Sequence, residues 1–135
     1  HGALVRTIGD AVMAAFHAPE NAVSTAMEIQ EQVAEFNRKN RIEPPIVIKI
    51  GVHHGPAISV NSNHILDYFG RTVNIAARIQ NESVGGDVVL TEELFSDPDI
   101  QDALKRFPFE VTPFRATLKG VEGEFALCRL TLKRY

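Results

Sequence analysis

Asp67-Tyr-Phe-Gly-Arg-Thr-Val-Asn-Ile-Ala-Ala-Arg78 sets a carboxylate, a glycine break and a mostly apolar helical run in one line, with two polar side chains on the run. Ile65 to Phe69 reads as a short strand, Gly70 as the turn, and Thr72 as the N-cap of a helix to about Glu82. Asn74 and Arg78 stand four apart and share one stripe of that helix, which leaves Val73, Ala76 and Ala77 to face the body of the domain. An amide and a guanidinium side by side, with an acid at the preceding strand end, suit a ligand that carries both a phosphate and a base. Spacing alone fits the wet face of an ordinary helix better than a binding site.

Working outward, Ala3 to Ile8 and Ala11 to Phe16 are strand-like runs separated by Gly9-Asp10, a hairpin signal that puts Asp10 at a tip. A carboxylate there is by itself a common turn former. Pro19 opens a helix from about Glu20 to Asn40, with Ala22, Ala26, Ile29, Val33 and Phe36 at three- and four-residue steps. That pattern predicts burial of Ile29, Val33 and Phe36, with Glu28, Glu31 and Glu35 on the solvent side. After the Pro44-Pro45 break, Ile46 to Ile58 reads as a central strand and Ser59 to His64 as a polar loop. The adjacent His53 and His54 point to opposite faces of a strand, so they do not form a metal pair, and His17 and His64 have no spaced partner.

Beyond the Asn74 helix, Gly85-Gly86 is a turn, Asp87 to Thr91 a buried strand, Thr91-Glu-Glu-Leu a short helix entry and Asp97-Pro98 the start of another helix to about Lys105. Phe107 to Leu118 and Gly123 to Leu132 are two further strands, joined by a turn that holds Lys119. The expected architecture is α+β, with a mainly antiparallel sheet and helices packed on one face, in a single domain over residues 1–135.

Composition narrows the function classes. The 135 residues carry 44% hydrophobic and 23% charged side chains and a formal net charge of -3, with no Lys/Arg run able to follow a phosphate backbone, which argues against nucleic-acid binding. No apolar run approaches the ~20 residues of a membrane span, and no signal-peptide pattern is present. The single cysteine, Cys128, reads as a buried thiol, in keeping with a reducing cytoplasm, although a parent protein could be tethered to a membrane.

Three motifs in order, Leu4 to Phe16, Lys49 to Pro56 and Asp67 to Arg78, resemble the catalytic domain of the class III adenylyl/guanylyl cyclases. The resemblance implies a ferredoxin-like-derived cyclase fold and conversion of ATP to cyclic AMP and pyrophosphate. By it, Asp10 is a metal ligand, Asn74 orients the ribose and Arg78 stabilises charge on the α-phosphate. Arg6 and Asp67 bind the base, and Lys119 reaches the terminal phosphates. Mg2+ or Mn2+, two ions in the complete site, are the implied cofactors, and the site lies between two protomers of a homodimer or of a heterodimer with another cyclase domain, with regulatory domains in the parent chain. A carboxylate at Asp67 suits the adenine amino donor, whereas Arg6 is neither the Lys of adenylyl cyclases nor the Glu of guanylyl cyclases. The resemblance also implies an opening strand with a second metal-binding Asp ahead of the hairpin, where this sequence has His1, Gly2 and Ala3. A partial, N-terminally truncated domain, inactive by itself, is the resulting expectation. The alternatives are a guanylyl cyclase, a catalytically inactive cyclase-like dimerising or nucleotide-binding regulatory domain, or an unrelated α+β domain of ferredoxin-like type.

Overall fold

The computed structural model describes residues 2–56, 58–62 and 65–133. Strands β1 (Gly2–Ile8) and β2 (Ala11–Phe16) form an antiparallel hairpin, as Gly9-Asp10 predicted, with Gly9 at φ +59° supplying the left-handed turn residue. The register shifts between Leu4 and Arg6, a bulge that re-aims the strand just before Arg6. Helix α1 (Pro19–Asn40) follows, then β3 (Ile50–Val52), β4 (Ile58–Ser62), β5 (Ile65–Phe69) and α2 (Arg71–Gln80). The chain continues through β6 (Asp87–Thr91), α3 (Glu92–Phe95), α4 (Pro98–Leu104), β7 (Phe109–Thr117) and β8 (Glu124–Leu132). Thr91 Oγ1 accepts from Leu94 N and Asp97 Oδ1 from Asp99 N, the two N-caps that start α3 and α4.

The fold class holds, and the sheet is mixed. Four strands run β3-β6-β8-β7, with β3 and β6 parallel and the rest antiparallel; the β1-β2 and β4-β5 pairs are separate sheets among the described residues. Pro113 sits in β7, an outer strand of that order, where a missing N–H costs least.

Helices cover both faces of this sheet, not one. Val88 and Leu90 of β6 pack into a core with Val23, Ala26 and Met27 of α1 and Ile100 and Leu104 of α4. Val89, between them, joins Ile75 and Ile79 of α2 with Leu118 and Leu127 on the other side. A strand buried on both sides loses its alternation, so nothing in its apolar run assigns helices to faces.

Two further expectations change. The buried stripe of α1 is Val23, Ala26, Met27 and Gln30, while Ile29 is 38% and Phe36 49% exposed and Val33 only half-buried. The helix carries two adjoining apolar stripes, and the sheet takes the one that ends in Gln30, whose Nε2 donates to both Ile48 O and Asp87 O at 2.9 Å. The strand expected from Ile46 to Ile58 shrinks to Ile50–Val52 because side chains occupy its backbone: Asn37 Nδ2 donates to Ile46 O at 2.8 Å and Ile46 N to Asn37 Oδ1 at 3.0 Å. The stretch expected to be a polar loop from Ser59 contributes to β4, which pairs with β5; His64 lies outside the described residues. Among the described residues no helix is long and apolar enough to cross a membrane.

Candidate functional site

Helix α2 is the element around which the candidate residues gather. It begins after Gly70, at φ +126°, with no side-chain cap. Thr72 is therefore not the N-cap; its Oγ1 donates instead to Pro56 O, which ties the first turn to the segment after β3. The buried side is Ile75 and Ile79, while Val73 and Ala76 are half-buried and Ala77 is exposed, so the body-facing set differs from Val73, Ala76 and Ala77. The anchors are the longer apolar side chains four apart; burying each contributes about 1.5–3 kcal/mol. Asn74, exposed, and Arg78, half-buried, stand beside that stripe, one turn from each other.

At its last turn α2 meets β3 backbone to backbone. A Cβ on Gly51 would lie 2.4 Å from Gln80 N and 2.6 Å from Gln80 Cα, so only glycine permits the approach. At the first turn a Cβ on Gly55 would lie 2.8 Å from Thr72 Oγ1.

The other residues sit around this helix. Asp67 is in β5, opposite Val60 and directly ahead of the Gly70 turn. Arg6 is in β1, opposite Met13, and β1 runs alongside β5. The side chains of Arg6 and Asp67 lie outside the described residues. Lys119 is exposed in the turn after β7, next to Leu118, which packs on Ile75 and Ile79. The strand of Asp67 and the turn of Lys119 thus border the helix of Asn74 and Arg78, and the strand of Arg6 lies one step further out, against β5.

Asp10 stands apart, exposed at the hairpin tip. Among the described residues no group of three or more His, Cys, Asp or Glu side chains could hold a metal ion. One exposed carboxylate does not fit two divalent ions that each require several hard oxygen ligands. His17 and His54 are exposed, and His53 Nδ1 is buried without a hydrogen-bond partner. Burial holds the His53 imidazole below its ordinary pKa; His54 adds to this and Glu93 opposes it. Cys128 is a free, buried thiol pushed up by burial, with Glu92 adding to the shift.

A polar cluster the sequence reading passed over lies at the exit of α2. Asp87, 1% exposed, accepts from Ser83 Oγ, from Val84 N and Gly85 N at 3.2 Å, and from Arg129 Nε at 2.8 Å. Arg129 Nη2 also donates to Glu82 O at 2.7 Å, and its guanidinium lies 4.5 Å from the centre of the Phe114 ring. The available signal was an acid heading an apolar strand with a serine four residues before it.

This α+β arrangement, with its helix after a glycine turn, is that of a nucleotide cyclase domain. Residues 1–123 match the adenylate and guanylate cyclase catalytic domain, and the chain belongs to that family. Putative adenylate cyclase 3 of Rhizobium meliloti is 33% identical over 91 residues, which cover 67% of this chain and 15% of that protein. The adenylate/guanylate cyclase/hydrolase of Silicibacter pomeroyi superposes with a TM-score of 0.78 at 24% identity, covering 98% of this chain and 74% of that one. A Trypanosoma brucei adenylate cyclase in its monomeric state gives a TM-score of 0.70 at 24% identity, over 96% and 71% of the two chains. The chain spans between 7% and 29% of the length of the first curated relatives it matches.

Proposed function

We propose that this domain converts ATP to cyclic AMP and pyrophosphate, in a site completed by a second cyclase domain. The observation that carries the reading is the single stripe of Asn74 and Arg78 on a helix fixed at both ends and bordered by the strand of Asp67, against which the strand of Arg6 lies. Several relatives bear the name adenylate cyclase, which supports the class of reaction.

In the proposed reaction the ribose 3′-oxygen attacks the α-phosphorus. The bond from that phosphorus to the oxygen bridging to the β-phosphate breaks, pyrophosphate leaves with the electron pair, and the hydroxyl proton passes to solvent. Arg78 supplies a fixed cation for the charge that grows on the α-phosphate, and Asn74 holds the ribose in line for the attack. Asp67 accepts from the adenine amino group and repels the guanine carbonyl, so adenine is preferred. Lys119 meets the terminal phosphates, and Arg6 lies at the base. Class III cyclases generally use Mg2+ or Mn2+; Asp10 would supply one ligand, and further carboxylates would have to join it before such ions are held. Cyclase catalytic domains typically pair, so a partner protomer, identical or a second cyclase domain, belongs to the reading.

The test is cyclic nucleotide formation by the intact protein from ATP and from GTP with Mn2+. Arg78→Ala is expected to lower kcat by about a hundredfold or more, the effect of losing one preorganised charge donor, without loss of folded structure. Unchanged turnover at saturating ATP would remove Arg78 from the mechanism. A GTP preference would make the domain a guanylyl cyclase. Tight ATP binding with no product from either nucleotide would make it a regulatory module.

A further inference from the structure

Arg129 grips the chain where it leaves α2, two residues past the last helical residue. Carbonyls of the last turn are met locally, by Asn81 N on Ala77 O at 3.2 Å, Glu82 N on Ile79 O at 2.9 Å and Ser83 N on Gln80 O at 3.1 Å. Two residues past the helix, Glu82 O is met from 47 residues away by Arg129 Nη2 at 2.7 Å. The other arm of the same guanidinium, Nε, is held by Asp87 at 2.8 Å, and the plane rests on Phe114. Phe114 packs against the cluster that contains Ile75 and Ile79, so Arg129 lies on the face of the sheet that carries α2. Asp87 is itself fixed by Ser83 Oγ and by the N–H groups of Val84 and Gly85, the loop that leaves the helix. The fork presents two separate nitrogens, Nε and Nη2, in fixed directions to the two acceptors, whereas a lysine ammonium donates from a single point.

The geometry points to Arg129, held by Asp87, as a positioning residue that fixes the C-terminal turn of α2 and through it the guanidinium of Arg78. This rests on the cyclase reading above for its catalytic half and on geometry alone for its structural half. Arg78 lies in the last turn of α2, so a shift of that turn moves its charge relative to the reacting phosphate. A misplacement on the order of 1 Å is enough to cost about a hundredfold in rate.

Arg129→Lys is the discriminating variant, because it keeps a cation beside the buried Asp87 carboxylate and gives up the second bond, to Glu82 O. In the intact protein it is expected to lower kcat by roughly tenfold or more while KM for ATP changes by less than about twofold, the pattern of an interaction realised in the transition state. In an Arg78→Ala background the same change should alter kcat by less than about twofold, since the group it positions is gone. Amide exchange at Asn81, Glu82 and Ser83 should quicken in Arg129→Lys with no such change in β7. An equal loss of kcat in both backgrounds would overturn the proposal, because a general destabilisation does not depend on Arg78. Unaltered exchange at those three amides would refute the grip itself. If the unsubstituted protein forms no cyclic nucleotide, the cyclase reading and the catalytic half fall together, and the exchange data decide the grip by themselves.

Discussion

Gly51→Ala tests how closely α2 is seated. The added methyl would lie 2.4 Å from Gln80 N, whereas ordinary van der Waals contact begins near 3.4 Å, so the last turn must retreat by about 1 Å or β3 must yield by as much. Both partners are backbone, and neither can rotate aside as a side chain could. Overpacking of this kind costs about 1–3 kcal/mol. For a domain of 135 residues that corresponds to a fall in Tm of roughly 4–12 °C. The same retreat carries Arg78 with it, so kcat should fall by about a hundredfold, far more than the loss of folded protein at 25 °C explains. Thermal melting followed by circular dichroism, with kcat measured well below the transition, checks both. Ala77→Ser, on the exposed side of the helix, serves as the control and should leave both unchanged. A Gly51→Ala protein with unaltered Tm and kcat would mean that α2 does not rest on β3 and that the account of how Arg78 is placed is wrong.

Asp67→Ala is expected to relax the preference for ATP over GTP more than it weakens ATP binding, read as the ratio of kcat/KM for the two nucleotides; equal ATP and GTP rates in the unsubstituted protein would undercut the assignment. His53 has a pKa lowered by burial, so the folded state favours the neutral ring and the unfolded state takes up the proton more readily. Stability should therefore be fully present above the ordinary imidazole value of 6.5 and decline as pH falls below it, and His53→Gln should flatten that part of the profile in urea melts at pH 5 to 7.5. An identical slope in the variant would assign the dependence to other groups.

Where local chemistry decides structure, the sequence was legible. Gly9-Asp10 marked the first hairpin, and Thr91 and Asp97-Pro98 marked the starts of α3 and α4, because each is a turn or cap whose hydrogen bond lies within three residues. The stripe of Asn74 and Arg78 followed from helical spacing, as did their place after β5. What was not legible depends on distant partners. Ile46 has strand composition, yet the side-chain amide of Asn37, nine residues back, takes both of its backbone hydrogen bonds. The burial of Gln30 depends on two distant backbone acceptors, Ile48 O and Asp87 O, and with it the choice between the two apolar stripes of α1. Arg129 and Asp87 pair across 42 residues, a separation that no local pattern encodes.

Asp87 has a further consequence for how β6 finds its neighbours. Its next three side chains, Val88, Val89 and Leu90, are all apolar and all fully buried, on alternating faces that both want apolar groups. Slipping the strand by one position against β3 and β8 would exchange those faces at little loss of buried area, so burial discriminates poorly between the native alignment and its neighbours. The carboxylate does discriminate. A slip would carry Asp87 off Arg129 and turn a charge with no partner toward the core packed on α1, a cost of several kcal/mol. One acid at the head of an otherwise interchangeable run thus makes the alternative pairings expensive, and a strand without it would be stable in more than one alignment.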